Sequence, residues 1–153
     1  MQTNEDLMNK ARRLNIKLVG VFSKDNIDTL PQNGSYIFNL QDDADEYGNL
    51  LGGSHWVALY IEHQKAFFFD SFGKPPPSDI QLFLKRFIPY KYNKKHIQNI
   101  RSEVCGYYCL YFLWFMTFHK EKPLDERFTT FLGLWSNDEQ KNKSLLERYL
   151  KPL

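Results

Sequence analysis

The sequence predicts an α+β fold, a central sheet with one long buried helix and further helices packed on its faces. Three observations predict it. Apolar runs near residues 36–40, 55–61 and 65–70 have the length of strands, the first with clear alternation and the last two close enough to form a hairpin. One continuous apolar stretch, Tyr107 to Phe118, reads as a buried helix. Helical spacing recurs near both ends, and no repeat or linker divides the chain, so residues 1–153 are expected to form a single domain.

Thr3 or Asn4 can cap an opening helix, with Asp6 favouring its positive end. Leu7, Met8, Ala11 and Leu14 then follow at helical spacing. Ile16 to Phe22 and Tyr36 to Leu40 read as strands, with Ser23 to Gly34 a loop punctuated by Pro31 and Gly34. Gln41 to Gly53 is polar and acidic, a surface loop ending in Gly52-Gly53. His55 to Ile61 and Lys65 to Asp70, joined through Glu62-His63-Gln64, form the hairpin. Pro75 to Pro77 stop its second strand, and Ser78 caps a helix carrying Ile80, Phe83, Leu84 and Phe87. Lys95 to Ile100 reads as a short strand. The apolar helix runs from about Cys105 to His119 and ends near Pro123, and helices at 124–132 and 138–150 complete the chain.

Composition narrows the function. The 153 residues are 42% hydrophobic and 16% aromatic, which gives a large core because each ring buries roughly 150–250 Å² and excludes disorder of the whole chain. A net charge of +2 is no nucleic-acid signature. The basic residues Lys85, Arg86, Lys91, Lys94, Lys95 and Arg101 read first as a solvated face. Residues 1–15 are polar and charged, unlike a signal peptide. The apolar stretch falls short of the ~20 residues that span a bilayer, so no membrane partner is expected. Cys105 and Cys109 lie four apart on one helix, where Cβ atoms stand about 5–6 Å apart, too far for the about 3.5–4.5 Å of a disulfide. Free thiols suit a reducing compartment.

A thiol attacks as its thiolate, and helix N-termini and imidazolium neighbours favour that form. Cys105 opens the apolar helix, and Gly106, lacking a Cβ, lets a substrate backbone approach the sulfur. Cys109 lies one turn deeper, where packing is its ordinary role. His63 in the hairpin turn, His96 among lysines and His119 at a helix end read as structural or neutral. His55 differs, because it follows Gly52-Gly53-Ser54 and begins a strand at Trp56-Val57-Ala58-Leu59. A hairpin brings the start of one strand beside the end of the next, so Asp70 meets His55 at one rim of the sheet. A carboxylate directly after Phe67-Phe68-Phe69 is costly unless paired, although an exposed turn aspartate is the plainer reading. Gln98, seven residues before Cys105, can donate its NH₂ to an oxyanion alongside the Cys105 N–H, although composition alone reads it as a surface glutamine.

Three motifs resemble the adenovirus-type maturation protease (adenain) family. They are Gly52-Gly53-Ser54-His55-Trp56-Val57-Ala58, Phe69-Asp70-Ser71-Phe72-Gly73, and Gln98 followed after six residues by Cys105-Gly106-Tyr107-Tyr108-Cys109. Leu145 to Leu150 extends the match weakly. The order His, acid, Gln, Cys is shared with ubiquitin-like-protein proteases, and the closest likeness is to virophage and Polinton-type members. The resemblance implies a central, mainly antiparallel sheet with a buried helix carrying the nucleophile, over a single protease domain. It implies a cysteine endopeptidase that trims viral capsid or core precursors during maturation, with catalytic His55, Asp70, Gln98 and Cys105, Asp standing where adenain has Glu. Gly53, Trp56 and Gly106 would line the substrate, with Trp56 also packing on the catalytic ring or helix. The expected location is the virion and the reducing compartment where particles assemble. Adenain is activated by a disulfide-bound peptide and by DNA. This chain has no third cysteine for such a peptide, and DNA stimulation would rest on the lysines of 85–101.

Two other readings stay open. A deconjugase for a ubiquitin-like modifier would use the same four residues but needs a docking surface that no insertion here supplies. A catalytically silent capsid-binding module would not need all four. Cofactors are not expected, and a zinc site at Cys105 and Cys109 lacks the second ligand pair that structural sites favour.

Overall fold

The computed structural model describes residues 3–23, 33–40, 55–87, 89–98 and 104–150. A five-stranded sheet runs in the order β1 (Leu18–Ser23), β2 (Gly34–Asn39), β3 (Trp56–Glu62), β4 (Lys65–Phe69) and β5 (Lys91–Tyr92). The two central pairings are antiparallel, β2 with β3 and β3 with β4, while β1 and β5 add in parallel at the edges. The expected hairpin is therefore the middle of the sheet. Its turn is tighter than the sequence reading, with His63 and Gln64 alone at φ 51° and 62°, the paired positive values that match the twist of the flanking strands.

Alternation decides what each strand faces. Trp56, Ala58 and Tyr60 of β3, with Phe67 and Phe69 of β4, join the cluster built around the long helix. Val57, Leu59 and Ile61, with Ala66 and Phe68, face the opposite way, toward Ile80, Phe83, Leu84 and Phe87. Both faces are covered, so β3 is buried at every position but Glu62. The covering element on the second face is α2 (Ser78–Leu84). On the first face lies α3 (Cys105–Phe118), ten of whose fourteen residues are buried. Such a helix must be enclosed on several sides, and α1 (Asn4–Arg13), α4 (Leu124–Gly133) and α5 (Glu139–Tyr149) enclose it.

Side-chain caps explain two of the helix starts. Thr3 and Asp6 form a reciprocal capping box at the start of α1, and Asp138 accepts from the amides of Gln140 and Lys141 to start α5. Two expectations need correction. Ser78 is the first residue of α2 rather than its cap, because Pro77 holds the N-cap place without a side-chain bond. Residues 95–98 form no strand. The short strand is Lys91–Tyr92, and the chain beyond it is held through side chains and the main chain of Ser71. The expected loops at Ser23 to Gly34 and Gln41 to Gly53 lie largely outside the described residues.

Candidate active site

The hairpin rim carries the first pair. His55 immediately precedes β3 and Asp70 immediately follows β4, and His55 Nε2 lies 2.8 Å from Asp70 Oδ1. Asp70 is buried, which removes the exposed-turn reading, and its partners hold it firmly. Oδ1 also accepts from the Phe72 amide at 2.8 Å, and the Gly73 amide closes the turn on the Asp70 carbonyl. Asn93 grips the Asp70 main chain at both ends, accepting from its N–H at 3.0 Å and donating to its carbonyl at 2.6 Å. Gly73 is required here. Its φ is +74°, and a Cβ would stand 2.8 Å from the Lys94 and Lys95 carbonyl oxygens.

Pairing Ala58 with Phe69 fixes the hairpin register. Continuing it by three residues sets Phe72, not Asp70, across from His55. The Phe72 ring accordingly stacks flat on the imidazole, centroids 4.2 Å apart and planes at 4°. Burial alone would lower the affinity of His55 for a proton. The Asp70 hydrogen bond and then Cys105 outweigh it and raise the pKa to about 9. Because a carboxylate only accepts, Nε2 must carry hydrogen, and Nδ1 is the nitrogen that can exchange a proton with a thiol. Nδ1 is buried.

Cys105 is the first residue of α3, following Val104 at the N-cap. Its sulfur is nearly enclosed and accepts from the Trp56 backbone N–H at 3.4 Å. The Trp56 ring lies in the main core beside α3, so of its two expected packing partners the structure gives the helix, and Phe72 takes the imidazole. Gly106 is buried in the first turn, while Gly53 lies outside the described residues. Cys109 is wholly buried, which pushes its thiol well above its ordinary pKa and leaves it a packing residue. Both cysteines are free thiols.

Gln98 is buried, against its surface-residue reading. Its side-chain oxygen accepts from the Ser71 hydroxyl, and its main-chain N–H joins that of Ile97 on the Ser71 carbonyl, at 3.0 and 2.9 Å. The segment is fixed from behind as well. Asn142 of α5 donates to the Ile97 carbonyl at 3.0 Å, and Lys95 donates to the Leu132 and Trp135 carbonyls at the end of α4. Lys91 faces Asp125 at 3.6 Å. Of the basic stretch, Lys95 is thus committed to holding structure, while Lys91 makes only an exposed ion pair.

Sequence reasoning missed Ser71, Phe72, Asn93 and Asn142. For Ser71 and Phe72 the cue was their place beside Asp70. Asn93 and Asn142 are polar residues made buried by tertiary contacts that no local pattern shows. Among the described residues no three of His, Cys, Asp and Glu are grouped to hold a metal ion, and no helix is long and apolar enough to cross a membrane.

A mixed sheet with its central hairpin packed on a buried helix that opens with cysteine has the fold of adenain-like and ubiquitin-like-protein cysteine proteases. The particular likeness is to the ASFV pS273R protease. One structure of that protein aligns with a TM-score of 0.50 and 15% identity, over 91% of this chain and 61% of that one. Its selenomethionine form gives a TM-score of 0.37 and 20% identity, over 66% and 40%. The chain thus spans about three fifths of the length of its first structural neighbour. No protein-family model and no curated protein matches it.

Proposed function

We propose that the protein is a cysteine endopeptidase whose nucleophile is Cys105. The observation that carries this is an imidazole tied at Nε2 to a buried carboxylate, with Cys105 contributing to its raised pKa. An imidazolium beside sulfur favours thiolate, and the Trp56 N–H donates to the same atom. Sγ attacks the scissile carbonyl, and the oxyanion is met by the Gln98 NH₂ and the Cys105 N–H. His55 passes its Nδ1 proton to the leaving amine, giving a thioester. It then takes a proton from water, and the hydroxide releases the acid and regenerates the thiol pair. Asp70 holds the ring and its tautomer throughout.

The substrate in this reading is a viral capsid or core precursor, cut during particle maturation where particles assemble, with residues 1–153 acting as one protease unit. The sequence motifs and the fold shared with the ASFV pS273R protease support it. The test is incubation with peptides spanning precursor junctions and with modifier-linked peptides, using wild type, Cys105→Ala and Cys109→Ala. Precursor cleavage abolished only by Cys105→Ala is expected. Cleavage surviving that change would remove the nucleophile, and efficient release of a ubiquitin-like modifier would replace the maturation reading by deconjugation.

A further inference from the structure

Three features stand outside the chemistry just described. They are a cavity of about 230 Å³ lined by Lys10, Val104, Tyr107, Lys143, Leu146 and Leu150, the buried Arg127 pair with Glu62, and the contact between Ser71 and Gln98. The cavity offers no built polar site, and Arg127 serves the end of α3, donating to the Met116 carbonyl at 3.0 Å. The third bears directly on the reaction.

A primary amide has one accepting and one donating end of nearly equal shape. Only the donating end stabilises an oxyanion, and the accepting end in its place would repel the developing charge. A glutamine serving there therefore needs something to fix which way its amide faces. Ser71 is fully buried and follows Asp70 directly. Its hydroxyl engages Gln98 Oε1, and its carbonyl takes the Gln98 N–H at 3.0 Å, so one residue holds both the main chain and the amide face of Gln98. The same residue continues the turn in which Asp70 accepts from Phe72.

We infer that Ser71 is a positioning residue for the oxyanion donor: its hydroxyl occupies the accepting end of the Gln98 amide and turns the NH₂ toward the reacting carbonyl. This rests on the protease reading. It also makes the Asp70-Ser71 dipeptide one rigid unit, its first residue orienting the base and its second the oxyanion donor. Ser71 touches no reacting atom, so its effect falls on turnover rather than on binding or on the thiol.

The test compares Ser71→Ala, Ser71→Thr, Gln98→Ala and the double variant Ser71→Ala/Gln98→Ala, with peptide kinetics and the alkylation rate of Cys105 by iodoacetamide. Gln98→Ala should lower kcat about 10²–10³-fold, the usual effect of removing one oxyanion donor. Ser71→Ala should lower kcat by roughly a tenth to a third of that factor, with KM little changed and alkylation unaltered, since alkylation forms no oxyanion. Added to Gln98→Ala, it should cost nothing further. Ser71→Thr, which keeps the hydroxyl, should restore most of the rate. Independent, multiplicative losses in the double variant would overturn the inference, as would slowed alkylation or a folded Ser71→Thr as impaired as Ser71→Ala. The protease reading fails separately, if wild type cleaves no peptide or Cys105→Ala still cleaves, and the inference then falls with it.

Discussion

Replacing Asp70 by Asn isolates the charge that sets His55. Asparagine keeps an oxygen for His55 Nε2 and for the Phe72 amide, so geometry is largely retained while the negative charge goes. In the native site the imidazolium survives to about pH 9 against an ordinary 6.5, although burial works against it. At 1.36 kcal/mol per unit, that rise is about 3 kcal/mol of differential interaction. Charge-assisted hydrogen bonds are roughly twice as strong as neutral ones. The substitution should therefore lower the His55 pKa by about 1–2 units, or about 1.4–2.7 kcal/mol. The reactive form in this mechanism is thiolate beside imidazolium, so kcat/KM falls on the alkaline side as His55 loses its proton. Its alkaline limb should move from near 9 in wild type to between about 7 and 8 in Asp70→Asn. Peptide kinetics across that range, with NMR titration of the imidazole, measure both quantities. Coincident limbs in the two proteins would refute the claim that Asp70 holds the charge.

The same group links stability to pH. Folded His55 keeps its proton to about 9 and the unfolded side chain releases it near 6.5, so the stabilisation is complete below about 6.5 and is lost as pH rises through about 9. Urea unfolding should show wild type losing up to about 3 kcal/mol across that window and Asp70→Asn losing clearly less. Iodoacetamide should label one thiol of the native protein, and Cys105→Ala should remove that labelling, because Cys105 lies beside His55 and the Trp56 N–H whereas full burial holds the Cys109 thiol well above its ordinary pKa; fast labelling of Cys109 would contradict this. Arg127→Met strips the Met116 and Lys122 carbonyls and Glu62 of their donor. It should cost about 2–4 kcal/mol in unfolding experiments with little change in kcat. Asn142→Ala leaves the Ile97 carbonyl and the Ser136 N–H without their partner. It should cost about 1–3 kcal/mol and also lower kcat, by loosening the segment that bears Gln98.

What the sequence revealed and what it hid divide along physical lines. The hairpin was legible because two short, continuous apolar runs joined by a tight polar connection are what strands buried on both faces produce. The register then had to bring His55 and Asp70 to one rim. Cys105 at a helix start was legible from the sharp onset of apolar residues. The segment at 93–98 was not, since its order comes from Asn93, Ser71, Lys95 and Asn142, which lie far apart in the chain. Lys95 to Ile100 read as a short strand, yet over 95–98 those bonds supply what a ladder would have supplied. Gln98 looked like a surface residue because local sequence carries no trace of the contacts that fix its segment, from Ser71 and from Asn142 of α5.

The bond from Asn142 to the Ile97 carbonyl joins α5 to a site whose four proposed chemical groups lie between residues 55 and 105. During synthesis those groups leave the ribosome well before residue 142 does. A nascent or truncated chain can therefore contain every proposed reacting group and still lack the brace behind the segment that bears Gln98. Under the proposed mechanism, competence would arrive late, once α5 docks behind the segment that bears Gln98.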